Sequence, residues 1–437
     1  MGLRRELGLL DATAVTLGSV IGSGIFFVPS QVAREFPDAG AILLLWTLGG
    51  LVSLAGALSV AELAAMHPRS GGPYVFVREA FGPTAGFVAG WSYFVLGKAA
   101  IAAAVLFVFA DYVSFFVPLT ALGKQLLAVW ALGSLTFINL LGVKQGARVQ
   151  NLFTFLKVGA LAVLVGGALL LAAPGALGAP PPSARPGSVS TALLLVLFAY
   201  NAWINATMLG DEVRDPERTL PRAIVAGLAG AMALYLLANV AFLRVLGPAG
   251  MAAQPLVAAA TMDRVVAFGG AFTAGAVLVS AYGNSNGGTL TAARIPYAMA
   301  RRGELPAWLG KLNRKDVPGP ALVAHFLIAA AIMLTGTFAD AATLGIFAIW
   351  SVLVLVGLAV FVLRRRAPRA ARPYRVPLYP ALPAAFVAGA LFVVGARVVE
   401  QPLQALLAAA IMVGGLPLLW WAQRRGPAAP APAGADS

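Results

Sequence analysis

The sequence predicts an all-α polytopic membrane protein with about twelve transmembrane helices. Its 437 residues are 60% hydrophobic and only 11% charged, and the mean hydropathy is +0.85. Because roughly a quarter of the residues of a soluble domain are charged, this chain cannot form a water-compatible surface over its whole length. A helix of about 20 apolar residues spans the hydrocarbon core, and segments of this kind alternate here with short polar turns.

Twelve apolar segments are predicted as spans: residues 9–33, 40–66, 82–113, 123–142, 145–172, 190–210, 220–246, 268–300, 319–338, 341–364, 380–397 and 402–423. Residues 73–82 predict a short interfacial helix, and residues 251–262 predict a similar helix on the outer side. The longest outer loop is expected at 173–187. The Pro- and Ala-rich end at 426–437 is expected to be a disordered tail. One transmembrane domain is therefore expected over residues 1–425.

The charged residues indicate the orientation of the chain. If both termini face the cytoplasm, about 22 Lys and Arg residues fall on the inner side and about six on the outer side, which is the positive-inside bias. This alternation requires an even number of spans, so it supports twelve. The net charge of +14 is explained by these inner loops, and a nucleic-acid partner is not expected.

The residue types needed for metal binding or catalysis are scarce. The chain has no cysteine, and its two histidines, His67 and His325, lack a metal-ligand spacing. The acids within or near the spans, Asp11, Glu62 and Asp111, are few and peripheral, and no histidine pairs with a serine. We therefore expect no enzyme, no cofactor and no metal site. A channel would usually show a repeated filter loop, and none is visible in the sequence.

The first span contains a stretch that is unfavourable as continuous helix. In GSVIGSGIFFVP (18–29), three glycines and two serines fall within seven residues, and each glycine costs about 1 kcal/mol relative to alanine. If the helix opens at Gly22-Ser23-Gly24, the free N–H groups of a second half-helix would suit a carboxylate. The alternative is a small-residue face that packs against another helix, and glycine content alone does not decide between them.

Four further stretches strengthen the first interpretation. They are AELAAMHPRSGGPYVFVREAFGP (61–83), FAYNAWINA (198–206), DEVRDPERTLPRAI (211–224) and SNGGTLTAARIPYAMARRGELPAWL (285–309). Together with Gly-Ser-Gly-Ile-Phe, and in this order, they resemble the amino acid/polyamine/organocation (APC) superfamily, and within it the branch of the L-type amino acid transporters. The resemblance covers about residues 7–330.

The resemblance implies a secondary transporter of amino acids that works by alternating access. Its fold would contain two inverted five-helix repeats, at about 9–172 and 190–364, with helices 1 and 6 broken and two extra helices at 380–423. Carried onto this chain, it implies a substrate carboxylate at Gly22, Ser23, Gly24 and Ile25. It implies that the substrate amine meets the backbone at Val20, Phe198, Ala199 and Asn201.

The chain departs from the L-type pattern beside the second break, where it reads Asn201-Ala202-Trp203-Ile204. Bulk at Asn201 and Ala202 would shrink the pocket, so a small neutral substrate such as alanine, serine or glycine is expected. Cationic amino acids or polyamines are the alternative substrates. Trp203 is a candidate gate over the substrate, and simple packing is the alternative.

Two lysines lie inside predicted spans, where a charge costs at least about 2.5–3.5 kcal/mol. Lys157 lies about twelve residues into span five, and the resemblance implies that its ammonium group sits against the unwound part of helix 1. At that position the ammonium group would take the place of a bound sodium ion. A lysine that exchanges its proton would couple transport to protons, whereas a permanently charged one favours exchange. Lys98 either faces the central cavity or extends to the interface beside Tyr93.

Other polar residues of the spans are expected to be structural. Arg294 is expected to pair with a carboxylate at the inner face, and Asn284 and Asn286 to form interhelical hydrogen bonds. The expected location is the cell inner (cytoplasmic) membrane. The expected partners are the lipid bilayer, an amino acid and, in the case of symport, protons, with no obligate protein partner.

Overall fold

A computed structural model describes residues 5–22, 24–171, 187–254 and 256–424. Their α-helices, in chain order, are α1 Leu9–Val20, α2 Gly24–Glu35, α3 Ala39–Met66, α4 Pro73–Phe81, α5 Pro83–Ser92, α6 Ala99–Phe116, α7 Ala121–Leu140, α8 Val143–Leu170, α9 Val189–Ala199, α10 Pro216–Ala253, α11 Val257–Asp263, α12 Gly269–Ala292, α13 Arg294–Arg301, α14 Gly319–Thr335, α15 Phe338–Arg366, α16 Ala381–Glu400, α17 Pro402–Val413 and α18 Leu416–Arg424. A π-helix, Tyr93–Lys98, joins α5 to α6, and a 3₁₀ helix, Trp203–Glu212, follows α9.

The predicted all-α membrane fold is confirmed. In the described part of the chain, ten helical stretches are long and apolar enough to cross a membrane. The eighth and ninth predicted spans correspond to α12 with α13 and to α14, a shorter apolar helix. Large apolar side chains such as Leu44, Trp130, Phe155 and Leu327 are exposed along these helices, as expected for surfaces that face lipid.

The short helices also follow the sequence. The predicted interfacial helix at 73–82 is α4, which Pro73 starts at its first position. The predicted outer helix is α11, which begins later than expected because α10 continues through a kink at Gly247 (φ 66°). The predicted outer loop lies almost entirely outside the described residues, and the predicted tail lies wholly outside them.

Helices 1 and 6 are interrupted at mid-length, as predicted. α1 ends at Val20, and the chain leaves helical geometry at Ile21 (ψ 87°) before α2 begins at Gly24. In the sixth span, α9 ends at Ala199, and Ala202 adopts the left-handed conformation (φ 74°). A left-handed residue other than glycine costs about 1–2 kcal/mol, so the surrounding packing must stabilise this break.

Two groups of helices surround the breaks. α10 packs along α3 and α1, and α2 packs against α9, which places both broken spans in one group. α12 packs along α8 and α6, while α14 packs against α6 and α7, which forms the second group. The two breaks therefore lie where the groups meet, in the middle of the molecule.

A buried ion pair holds the C-terminal end of the sixth span. Arg294 donates from Nε and Nη2 to Glu212 at 3.0 and 3.1 Å, and both side chains are fully buried. Glu212 is therefore the carboxylate partner that was predicted for Arg294. The backbone oxygen of Glu212 also accepts a hydrogen bond from the Leu7 N–H at 2.9 Å, so the start of the chain is attached to the same point.

A second ionic cluster joins the C-terminal end of α3 to α15 and the loop that follows it. Glu62 accepts two hydrogen bonds from Arg364, at 2.9 and 2.6 Å, and one from the Val376 N–H at 2.8 Å. Arg372 lies 3.3 Å from the same carboxylate. The guanidinium of Arg364 also stacks on the Tyr379 ring at 3.9 Å. Basic residues that are scattered along the sequence therefore come together around Glu62 and organise this loop.

Candidate substrate site

The first break exposes the N-terminus of α2. The first N–H groups of a helix have no partner within the helix, so Gly24 and Ile25 present donors at the positive end of the helix dipole. Both residues are buried. A buried helix N-terminus of this kind suits a carboxylate. Ser23, the remaining predicted carboxylate contact, lies outside the described residues.

The second break exposes carbonyl oxygens rather than N–H groups. The Asn201 N–H donates to the Phe198 oxygen at 3.1 Å, and the Tyr235 hydroxyl donates to the oxygens of Val20 and Ala199 at 2.7 and 3.3 Å. A carbonyl oxygen has two lone pairs, so the oxygens of Val20 and Ala199 keep capacity for another donor. Of the predicted amine contacts, Val20 and Ala199 are therefore brought together as acceptors at the Tyr235 hydroxyl, whereas the Phe198 oxygen accepts from the Asn201 N–H.

The two broken helices touch where they unwind. A Cβ atom added at Gly24 would lie 2.9 Å from both the Cα and the Cβ of Ala199. Since one of these is a backbone atom, the contact could be relieved only by separating the two helices. Glycine is therefore required at this position by the close approach of α2 and α9.

We expect Gly24→Ala to lower the initial rate of amino acid uptake at least about tenfold, because the two half-sites would move apart and geometry within a fraction of an ångström governs binding. Gly166→Ala is the matched control, since a Cβ there meets nothing within 4 Å. Uptake into proteoliposomes, normalised to inserted protein, measures both. Equal rates for Gly24→Ala and wild type would show that the contact has no functional role.

A cavity of about 340 Å³ lies between the breaks. It is lined by Ser19, Val20, Gly22, Gly24, Ile101, Val105, Phe198, Ala199, Asn201, Ala202 and Asn284. The backbone segments predicted to hold the carboxylate and the amine thus line one space. A neighbouring cavity of about 430 Å³ shares Asn201, Ala202 and Asn284 with the first and extends to Lys98.

Lys157 supports the first break from behind. Its ammonium donates to the carbonyl oxygens of Gly18 and Ile21, the latter at 2.7 Å, and the side chain is fully buried. These oxygens belong to the last turn of α1, whose bonds the break leaves open. The lysine therefore replaces the N–H donors that a continuous helix would have supplied.

Sequence reasoning missed Tyr235 on α10. Its hydroxyl bridges the carbonyl oxygens of both broken helices, and its ring packs edge-on against Trp46 and lies 5.1 Å from Tyr200. The only sequence signal was a polar tip inside an apolar run, LYLLANV. The tyrosine links the two half-sites and orients the oxygens that face the cavity.

The two asparagines of α12 have different surroundings. Asn286 accepts a hydrogen bond from Asn139 at 2.9 Å and donates to the Gly146 oxygen at 3.1 Å, which confirms its expected interhelical role. Asn284 instead lines both cavities, and a Cβ added at Gly22 would collide with its amide. Two positions apart on a helix, these residues face about 200° apart, and only the packing shows which one faces the site.

The remaining candidate site residues also differ in their surroundings, since some line the cavities and one packs against another helix. Asn201 and Ala202 line both cavities, as expected for pocket residues. Trp203 is buried, and its ring packs edge-on against Phe386 of α16 at 6.0 Å. This contact favours the packing alternative for Trp203 over the gate.

Comparison with known proteins identifies the family of the chain. Residues 7–417 match the family model described as "Amino acid permease". The serine/threonine exchanger SteT of Bacillus subtilis (strain 168) is 32% identical over 97% of this chain and 98% of its own length. The b(0,+)-type amino acid transporter 1 of Mus musculus is 30% identical, over 92% of this chain and 84% of its own. The cystine/glutamate transporter of Homo sapiens is 28% identical, over 95% and 84%.

These relatives are named as transporters or exchangers rather than enzymes, which confirms the prediction that this protein is not an enzyme. The match covers nearly the whole chain, including both breaks and the lysine behind the first. The chain belongs to the amino acid permease family of the APC superfamily and is a polytopic amino acid transporter.

Proposed function

We propose that this protein is a sodium-independent secondary transporter of small neutral L-amino acids, which it moves by alternating access through exchange or proton symport. One observation carries the proposal: the cavity between the breaks has helix N–H donors on one side and backbone carbonyl oxygens on the other. A carboxylate suits the first and an ammonium suits the second. A free amino acid carries both charges on one carbon.

The size of the site supports a small substrate. Asn201 and Ala202 line the cavity and take up space beside the backbone site, which leaves little room for a long substrate side chain. The B. subtilis relative is named a serine/threonine exchanger, which agrees with a substrate of this size. Cationic amino acids and polyamines are less suitable, because Lys98 lines the adjoining cavity and would repel them.

The coupling mechanism rests on Lys157. A cation held against the Gly18 and Ile21 oxygens satisfies the open end of α1 without a metal ion. Sodium is then unnecessary. Exchange requires only that the loaded carrier reorients more easily than the empty one, whereas proton symport requires that Lys157 lose and regain its proton in the cycle.

The membrane arrangement is proposed from the charges and the helices together. Basic residues, including Arg294, Arg364 and Arg372, lie at helix ends that the charge pattern assigns to the cytoplasm, which supports a cytoplasmic location of both termini and insertion in the cell membrane. Two inverted repeats, at about 9–172 and 190–364, explain why the first helix of each is broken.

Transport by purified protein in proteoliposomes tests the proposal. Labelled alanine, serine, leucine and arginine are offered with and without internal amino acid, and with sodium, proton or no gradient. We expect saturable uptake of alanine and serine, little uptake of arginine, and no effect of sodium. Protein-free vesicles are the control. Uptake of none of these amino acids would refute the proposed function, and sodium-driven uptake would refute the role given to Lys157.

A further inference from the structure

Lys98 is a buried lysine that the transport scheme above does not use. It ends the π-helix Tyr93–Lys98 in the middle of the third span, and it is 6% exposed. This burial excludes the interfacial position that the sequence left open. Single turns of π-helix are rare in proteins, and those that occur are often found at functional sites. This one sets the orientation of Lys98 relative to α6.

The ammonium of Lys98 has neutral partners. It donates to Asn205 Oδ1 at 2.6 Å and to Thr291 Oγ1 at 2.8 Å. Within the part of the chain that the structure describes, neither of these partners is a carboxylate. Asn205 belongs to the 3₁₀ helix below the second break and Thr291 to α12, so Lys98 is held between the sixth and eighth spans.

An ammonium group carries three hydrogens, and these two bonds use two of them. Lys98 lines the cavity of about 430 Å³, together with Asn201, Ala202 and Asn284. The same three residues line the space between the two breaks. A substrate whose carboxylate and amine are held at the breaks therefore projects its side chain toward the cavity that Lys98 lines.

We propose that Lys98 determines substrate specificity by donating its third hydrogen to an oxygen on the side chain of the substrate, so that hydroxyl amino acids are preferred over apolar ones of the same size. This inference rests on the proposed function and identifies the substrate class within it. Serine is then preferred over alanine, and threonine over valine. A site whose buried donor is left without an acceptor discriminates strongly against the analogue that lacks the hydroxyl.

The surroundings favour a hydroxyl over a carboxylate on the substrate side chain. The cavity near Lys98 has an apolar side, formed by Ile101, Ala102, Val105 and Ile349, and a polar side that includes Asn201, Asn284 and Ser285. A buried carboxylate needs several strong donors to offset the loss of its water, and Lys98 contributes one hydrogen beside these neutral groups. A hydroxyl is satisfied by a single strong donor.

The test compares apparent KM values, which do not depend on how much protein is inserted. Initial rates are measured in proteoliposomes for serine, alanine, threonine, valine and aspartate. For the wild type we expect KM for serine to be about tenfold or more below that for alanine, as a hydrogen bond to a charged group implies, and the same for threonine against valine. For Lys98→Met, which keeps length but removes the donor, both ratios should fall to about one.

Two further variants complete the design. Lys98→Gln keeps a donor and should retain an intermediate ratio. Lys124→Met removes an exposed lysine paired with Asp111 and should match the wild type. If Lys98→Met does not fold, the wild-type ratios decide: equal KM values for serine and alanine, or tighter binding of aspartate than of serine, overturn the inference. Unchanged ratios in a folded Lys98→Met also overturn it. Absence of any amino acid transport by the wild type would instead refute the proposed function.

Discussion

Replacing Lys157 by methionine is expected to lower kcat/KM for amino acid transport at least about 100-fold. The ammonium makes two charge-assisted hydrogen bonds to the open end of α1, and each such bond is worth about 1.5–3 kcal/mol. Without it, the buried Gly18 oxygen loses this donor and the Ile21 oxygen keeps the longer bond from the Ser280 hydroxyl at 3.4 Å, so the break would rearrange. The geometry proposed to bind the substrate carboxylate would then be lost. Initial rates in proteoliposomes measure the effect.

Comparison across pH separates the two coupling mechanisms. Exchange of internal for external amino acid is measured in the wild type and in Lys157→Met, with Lys124→Met as the control for loss of an exposed lysine. If Lys157 carries the coupled proton, the response to a proton gradient disappears in Lys157→Met and residual exchange survives. Transport by Lys157→Met at the wild-type rate would exclude both roles for this lysine.

The second large effect concerns stability. Arg294→Leu should lower the free energy of unfolding by about 3–5 kcal/mol, because Glu212 would keep its charge in a fully buried site without its partner. The loss is measured by denaturant titration of the purified protein in detergent micelles. The exposed pair of Lys124 and Asp111 provides the contrast, since breaking a surface pair costs about 0–1 kcal/mol.

The double variant Arg294→Leu with Glu212→Leu identifies the cause. Removing both charges leaves no unpaired buried ion, so we expect the double variant to be more stable than Arg294→Leu alone. A double variant that is no more stable than the single one would show that Arg294 contributes through packing or through its bond to the Leu290 oxygen rather than through Glu212.

The two breaks show how far sequence patterns predict this site. The first break contains Gly22 and Gly24, and glycine is unfavourable within a helix whatever its neighbours. Composition therefore indicated a possible break, but a small-residue packing face remained the alternative until the other family motifs were taken into account. The second break has no glycine. Ala202 takes a left-handed conformation there because the packed helices around it outweigh a local cost of about 1–2 kcal/mol. Only the family motif indicated it in advance.

The polar residues of the spans also show how far sequence patterns predict the site. Arg294 was predicted to pair with a carboxylate, since a charge inside a membrane helix is costly. For Lys157 the same cost indicated an unusual position, but only the family resemblance implied that its ammonium sits against the unwound part of helix 1. The sequence left two positions open for Lys98 and expected Asn284 to serve between helices, and it did not indicate Tyr235 at all. Each of these three is directed at the site by the rotation of its helix, which depends on the contacts of that helix with its neighbours.

The sequence by itself determined the membrane fold, the approximate limits of the spans and the orientation expected from the basic residues, whereas the break of the first helix required the family motifs as well. These follow from the solvation of residues in lipid and water and from backbone propensity, which act locally. The tertiary structure alone decided that the N–H end of α2 faces the carbonyl oxygens of the sixth span, that Tyr235 bridges them and that Lys98 lines the adjoining cavity. Those relations join residues far apart in the chain, and only the packing of the helices sets the distances between them.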